Sequence, residues 1–172
     1  MMADRAAFPA QVDLRVDSSD PDSFERLGAR LGFGLPVEPN SVAGDPAGRH
    51  ALWLGPDEWL VVGPPGAEGK IESTLRTALG GSFGAVVDVS ANRIVIELAG
   101  PAALETLESG CSIDLDPRSF GPGRCAQTLL ARTGVLLHQV SDEPRYRLYV
   151  RPSFAGYVRA WLADAGEGAA TR

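Results

Sequence analysis

Four side chains could ligate a transition metal, His50, His138, Cys111 and Cys125, and they stand in four separate segments. Zinc sites usually place two ligands on one turn or helix at short spacing, and none of those spacings occurs here. Nucleophilic catalysis needs a base within reach of Ser, Cys or Thr. The only non-carboxylate bases are His50, beside a loop, and His138, on an apolar strand where a satisfied core or edge histidine is the usual outcome. Gly80-Gly81-Ser82-Phe83-Gly84 follows a predicted helix, whereas a dinucleotide-binding loop follows a strand and opens a helix. Asp57 and Glu58 are adjacent carboxylates, but the turn Gly55-Pro56-Asp57 accounts for both, and acid/base pairs converge from different segments. Trp53 and Trp59 flank that turn; core packing and a partner-binding surface both account for two tryptophans at such a tip.

These residues must be carried by short elements. Val12, Leu14 and Val16 alternate with Asp13 and Arg15, the period of a half-buried strand over 11–16. Asp20 fits a helix N-cap and Pro21 the first helical position, with Phe24, Leu27 and Leu31 on one stripe and Gly32 as an exit. The Pro- and Gly-rich stretch 35–48 reads as a long irregular connection. A hairpin over 51–63, a helix over 67–79 and a strand over 83–89 follow. The second half gives a strand at 93–98, a helix from Pro101 to Gly110, a second irregular connection over 113–123 and strands at 125–131, 135–140 and 146–150. Ser153 fits the cap of a last helix with Phe154, Tyr157, Val158, Trp161 and Leu162 on one face.

In order, residues 11–89 read strand, helix, strand, strand, helix, strand, the split βαβ of a ferredoxin-like unit. The second half nearly repeats it with one extra hairpin strand. Trp59-Leu60-Val61-Val62-Gly63-Pro64 before one helix resembles Tyr149-Val150-Arg151-Pro152 before another. The expected organisation is therefore α+β: a flexible N-terminus over 1–10, one domain over 11–165 built of pseudo-repeat units at about 11–89 and 90–165, and a flexible tail over 166–172. The 172 residues suit one domain. With 16 Lys+Arg against 22 Asp+Glu the net charge is −6, and the scattered basic residues argue against nucleic-acid binding. No apolar run approaches a bilayer span and the start lacks a signal-peptide core, so a cytoplasmic protein with two free thiols is expected.

Longer stretches carry a resemblance. Ala51-Leu52-Trp53-Leu54-Gly55-Pro56-Asp57-Glu58-Trp59-Leu60, Val87-Asp88-Val89-Ser90-Ala91-Asn92-Arg93, Gly110-Cys111-Ser112-Ile113-Asp114-Leu115, the run from Gly123 to Arg132, and Ser141-Asp142-Glu143-Pro144-Arg145-Tyr146-Arg147-Leu148 closely resemble the gamma subunits of heterotetrameric sarcosine oxidase. The likeness runs in order from about Leu14 to Leu162. It implies a four-subunit complex that demethylates sarcosine to glycine and reduces oxygen to hydrogen peroxide. The one-carbon unit would leave as formaldehyde or, with tetrahydrofolate, as methylene-tetrahydrofolate. It also implies FAD, FMN, NAD and zinc on the alpha, beta and delta partners and none in this chain. The implied fold is that of the folate-binding domain of the glycine-cleavage T-protein family, truncated. The family assigns this subunit no catalytic, cofactor-binding or metal residue; the implied role is packing, chiefly on the flavin-bearing beta subunit. Trp53, Asp57, Trp59, Asn92 and Arg93 are the candidate contacts, Arg93 because a guanidinium at a strand edge makes planar bidentate bonds. A free-standing folate-binding, aminomethyltransferase-like protein is the alternative.

Overall fold

The computed structural model describes the backbone of residues 2–170 and the side chains of residues 8–168. It divides into two compact units: residues 8–91, and residues 92–170 together with the N-terminal residues through Ala7. The division after Ala91 falls two residues beyond the repeat boundary expected at 89/90. Strand β1 (Met2–Ala7) opens the chain but joins the second unit.

The first unit consists of β2 (Ala10–Val16), α1 (Pro21–Leu31), β3 (Val42–Gly44), β4 (His50–Gly55), β5 (Glu58–Gly63), α2 (Glu68–Leu79) and β6 (Gly84–Asp88). Its sheet has the order β3-β4-β5-β2-β6 with every neighbouring pair antiparallel. Apart from β3, this is the ferredoxin-like arrangement. Asp20 caps α1 by accepting from the Ser23 N–H, and Gly32 closes it in the left-handed region at φ 86°, which a Cβ would disfavour. Ser19 donates both its N–H and its hydroxyl to the Asp17 carboxylate and holds its pKa below the usual range. Leu27 and Leu31 of α1 and Ile71, Leu75 and Leu79 of α2 bury the helical stripes against Val12, Leu14, Val16, Trp59 and Val61 of the sheet. The connection over 35–48 is not wholly irregular, since β3 within it extends the sheet by pairing with β4.

The second unit contains β7 (Ile94–Ala99), α3 (Ala103–Glu108), β8 (Arg124–Leu130), β9 (Thr133–Ser141), β10 (Arg145–Val150), a 3-10 turn Pro152–Phe154 and α4 (Ala155–Ala170). Its order is β1-β7-β10-β9-β8, again antiparallel throughout. Superposing the two orders gives one plan: β6-β2-β5-β4-β3 matches β1-β7-β10-β9-β8 position for position. The extra hairpin strand β8 is thus the counterpart of β3. The fourth ferredoxin strand, which the first unit takes from β6, comes in the second from the N-terminus of the chain.

The ladders agree at residue level. Val12 opposite Val61 and Leu14 opposite Trp59 correspond to Ile96 opposite Leu148 and Leu98 opposite Tyr146. All eight face the helices, because residues at spacing two share one side of a sheet.

Three expectations at element ends are corrected. Residues 2–7, expected to be a flexible leader, pair with β7. Ser153 does not cap the last helix; it lies inside the 3-10 turn, with Pro152 supplying the fixed φ at its start. The tail expected from 166 is helical through Ala170, and residues 171–172 lie outside the described residues. Among the described residues no helix is long and apolar enough to cross a membrane.

Candidate functional site

The hairpin of β4 and β5 divides its expected contact residues. Trp53 and Trp59 are direct cross-strand partners, so both side chains emerge on the same, helix-covered face. Trp59 is 1% exposed, donates its indole N–H to the Pro36 carbonyl at 2.7 Å and meets Phe24 edge to face at a centroid distance of 5.3 Å. It is a core residue and offers no surface to a partner, a correction that follows from strand alternation. Trp53 is half-buried against the same core. Asp57 alone of the three is exposed, at the turn, where its carbonyl accepts from the Val16 N–H.

Asp57 opens onto a cleft of about 740 Å³ in the first unit, which includes Arg15, Asp17, Pro56, Phe83 and Ala85. Arg15 is ion-paired with Glu58 at 2.8 Å. Phe83 is 92% exposed, and Ala85 and Val87, at spacing two along the edge strand β6, are exposed with it. An apolar row on a sheet edge is a surface that proteins normally keep covered. The sequence reading missed it, although the spacing Phe83, Ala85, Val87 on a terminal strand was there to see.

Asn92 and Arg93 lie in the second unit. Asn92 is exposed before β7, and Arg93 is half-buried and lines a cleft of about 660 Å³. Its other polar walls include Arg132, Arg151, Gln127, Thr128 and Tyr149. Arg93 stands one residue before Ile94 and Arg151 one residue after Val150, and Ile94 opposite Val150 is the last pair of that ladder. Arg93 and Arg151 therefore stand side by side at the same end of the sheet. Arg132 is presented by the two-residue turn between β8 and β9, where Ala131 takes φ 50°, a left-handed conformation that a residue with a Cβ adopts at a cost.

That turn is tied down. The Ala131 N–H donates to the Gly110 carbonyl at 2.8 Å, the Ser112 N–H donates to the Leu129 carbonyl at 3.2 Å, and Cys111 forms a single bridge with Leu130. The stretch from Gly110 to Ser112 thus braces the cleft wall. Tyr149, at its floor, is buried, which pushes its phenol pKa up; the Arg147 charge and the hydrogen bond that Arg147 donates to the phenol oxygen act the other way. The phenol stays neutral at physiological pH. No Asp or Glu lines the cleft, although acidic residues outnumber basic ones in the chain, 22 to 16.

His50 and His138 are both buried, on strands of different units. Neither cysteine forms a disulfide; Cys125 is buried and Cys111 partly exposed. Among the described residues no group of three or more His, Cys, Asp or Glu is placed to hold a metal ion. Gly80 to Gly84 follows the C-terminus of α2, the end that presents carbonyl groups and negative partial charge, so that loop does not suit a pyrophosphate.

Comparison with known proteins gives one consistent result. The chain is 43% identical to the sarcosine oxidase subunit gamma of an Arthrobacter species over 159 residues, which is 92% of this chain and 76% of the relative. Against that of Corynebacterium sp. strain U-96 the identity is 41% over the same length. Among solved structures it matches heterotetrameric sarcosine oxidase from Corynebacterium sp. U-96 in complex with pyrrole 2-carboxylate, with TM-score 0.87, 40% identity, and coverage of 94% of this chain and 81% of that one. The glycine cleavage system aminomethyltransferase T from Bartonella henselae shares the fold at TM-score 0.64 and 13% identity, this chain covering 44% of it. The model of the sarcosine oxidase gamma subunit family matches residues 15–168, nine-tenths of the chain, and the chain belongs to that family.

Proposed function

We propose that the chain is the noncatalytic gamma subunit of a cytoplasmic heterotetrameric sarcosine oxidase. It assembles with alpha, beta and delta subunits and packs chiefly on the flavin-bearing beta subunit. FAD, FMN, NAD and zinc would sit on those partners, and tetrahydrofolate would act as co-substrate of the complex. The observation that carries the reading is the match to a heterotetrameric sarcosine oxidase over 94% of the chain at 40% identity. The chemistry of the clefts agrees with a noncatalytic role. The arginine cleft lines Ser and Thr hydroxyls but no His, Cys or carboxylate that could serve as base. The cleft beside Asp57 holds two carboxylates and an arginine around an exposed phenylalanine, with Asp17 kept ionised and so unsuited to act as an acid.

Co-expression of the four subunits with and without this chain tests the role. We expect loss of the assembled complex, or of its flavin content and turnover, when the chain is omitted. A complex that assembles with full flavin and full turnover in its absence refutes the proposal. The alternative, a free-standing folate binder, rests on the shared aminomethyltransferase fold alone, and the family match does not favour it. Calorimetry of the isolated chain with tetrahydrofolate decides it, and no heat at high protein concentration removes it.

A further inference from the structure

We propose that the arginine cleft of the second unit is the docking site for an acidic segment of another subunit of the complex. The inference rests on the subunit reading above and adds the surface and the partner's chemistry. Arg93, Arg132 and Arg151 converge on one cleft of about 660 Å³ with no carboxylate in its walls. Arg132 and Arg151 are exposed and make no ion pair among the described residues. The Arg132 and Arg151 guanidinium groups, in a cleft without lining acids, leave a local positive field on a chain of net charge −6, and the partner that relieves it carries carboxylates.

The rim argues for a protein segment over a small anion. Leu129 is 52% exposed and Phe154 42% exposed at the cleft, and a free carboxylate or phosphate would leave both uncovered. A single ion at exposed arginines is also held weakly, because water screens it. A segment that places Asp or Glu on the arginines and apolar side chains on Leu129 and Phe154 uses both features, the Arg-plus-aromatic composition typical of interface hot spots. The cleft is preorganised for this. The brace from Gly110 to Ser112 and the left-handed Ala131 hold the backbone of the turn that carries Arg132 before any partner arrives, which lowers the ordering cost of binding.

The test uses the remaining three subunits, co-expressed and purified together, as the probe for the added chain. The double variant Arg132→Glu with Arg151→Glu should bind them at least tenfold more weakly than the unaltered chain, at unchanged thermal stability. The unaltered chain should lose affinity steeply between 50 and 300 mM salt, on the order of tenfold or more for two or three screened contacts, and the double variant much less. Arg132→Lys with Arg151→Lys should keep the salt dependence but lose part of the affinity, since lysine cannot form the bidentate pair. A control with the same charge change on helix surfaces away from the cleft lining, Arg30→Glu with Arg159→Glu, should bind as the unaltered chain does. Equal weakening by control and test variants would reduce the effect to net charge and overturn the proposal, as would unchanged binding and salt dependence in the test variant. If the unaltered chain itself fails to bind the other subunits, the subunit reading fails instead, so the two failures are told apart.

Discussion

The two units share one topology and a common pattern of core pairs yet present opposite surfaces. In each, a β-α-β-β-β-α-β plan buries a row of apolar residues beneath two helices, with Leu14 opposite Trp59 in one place and Leu98 opposite Tyr146 in the other. Outside the core they diverge. The first unit ends on β6, an edge strand with Phe83, Ala85 and Val87 exposed, and its cleft sets two carboxylates and one arginine around an apolar wall. The second takes its outermost strand from the N-terminus and opens three arginines at the end of its sheet. Cores are constrained by packing density, and so equivalent positions stay alike; surfaces carry no such constraint and become specialised.

The largest expected effect separates the two equivalent aromatic core positions. Trp59→Ala removes a fully buried indole, its contact with Phe24 and its hydrogen bond to Pro36, and should cost about 3–5 kcal/mol in urea unfolding. Tyr146→Ala should cost less, since a smaller ring is lost. Equal losses would show that ring size does not decide the cost at these equivalent positions. Next in size is removal of residues 2–7. The truncation frees the β7 edge from four backbone pairs and should cost the second unit about 2–4 kcal/mol, at roughly 0.5–1 kcal/mol for each of about four edge hydrogen bonds. Hydrogen exchange should then accelerate across β7 and leave β6 unchanged; faster exchange in both would mean that the units do not unfold separately. Smaller again is Gly110→Ala. A Cβ there would strike the Trp161 ring, 2.7 Å from its Cη2, and overpacking of this kind costs about 1–3 kcal/mol. The same change should loosen the brace on the arginine cleft, read as weaker binding to the partner subunits beyond the loss in stability. Binding that simply tracks stability would show that Gly110 matters only for packing.

Much of this organisation was legible in the sequence, for identifiable reasons. Alternating Val12, Leu14 and Val16, the Asp20-Pro21 start and the Gly32 stop of α1 are local signals, and the structure follows each. The repeat was legible in element order, and the extra hairpin strand that blurred it is resolved by its counterpart β3, too short at three residues to show a period. The likeness of Trp59–Pro64 to the run ending at Pro152 also pointed to equivalent places, but by one residue out: Gly63, opposite Ala10, corresponds to Val150, opposite Ile94. A strand borrowed from the far end of the chain has no local signature, which is why residues 2–7 read as a leader. Of the candidate contacts, Trp59 failed because its strand partner decides which face it occupies. Arg93, expected at an edge, stands at the end of β7, an interior strand of its sheet, and its company with Arg132 and Arg151 is a product of long-range pairing.

The smallest effect tests the one cap that the first unit has and the second lacks. Asp20 accepts from the N–H and hydroxyl of Ser23 at the start of α1, and these hydrogen bonds, the hydroxyl's first, lower its pKa from the ordinary 3.8. Neither α3 nor the turn before α4 has a side-chain cap of this kind. A carboxylate with a lowered folded-state pKa stabilises the fold fully above its unfolded pKa, and that contribution is lost as pH falls through the folded value. Asp20→Ala should therefore lower the melting temperature at pH 7 by the least of these changes, and the gap to the unaltered chain should close as pH falls below about 4. Asp20→Asn, which still accepts from the Ser23 N–H without a charge, should keep most of the stability and lose its pH dependence. If the Asn variant melts with the Ala variant at every pH, the charge at the helix start is what matters, and the cap contributes through the helix dipole instead of through the hydrogen bond.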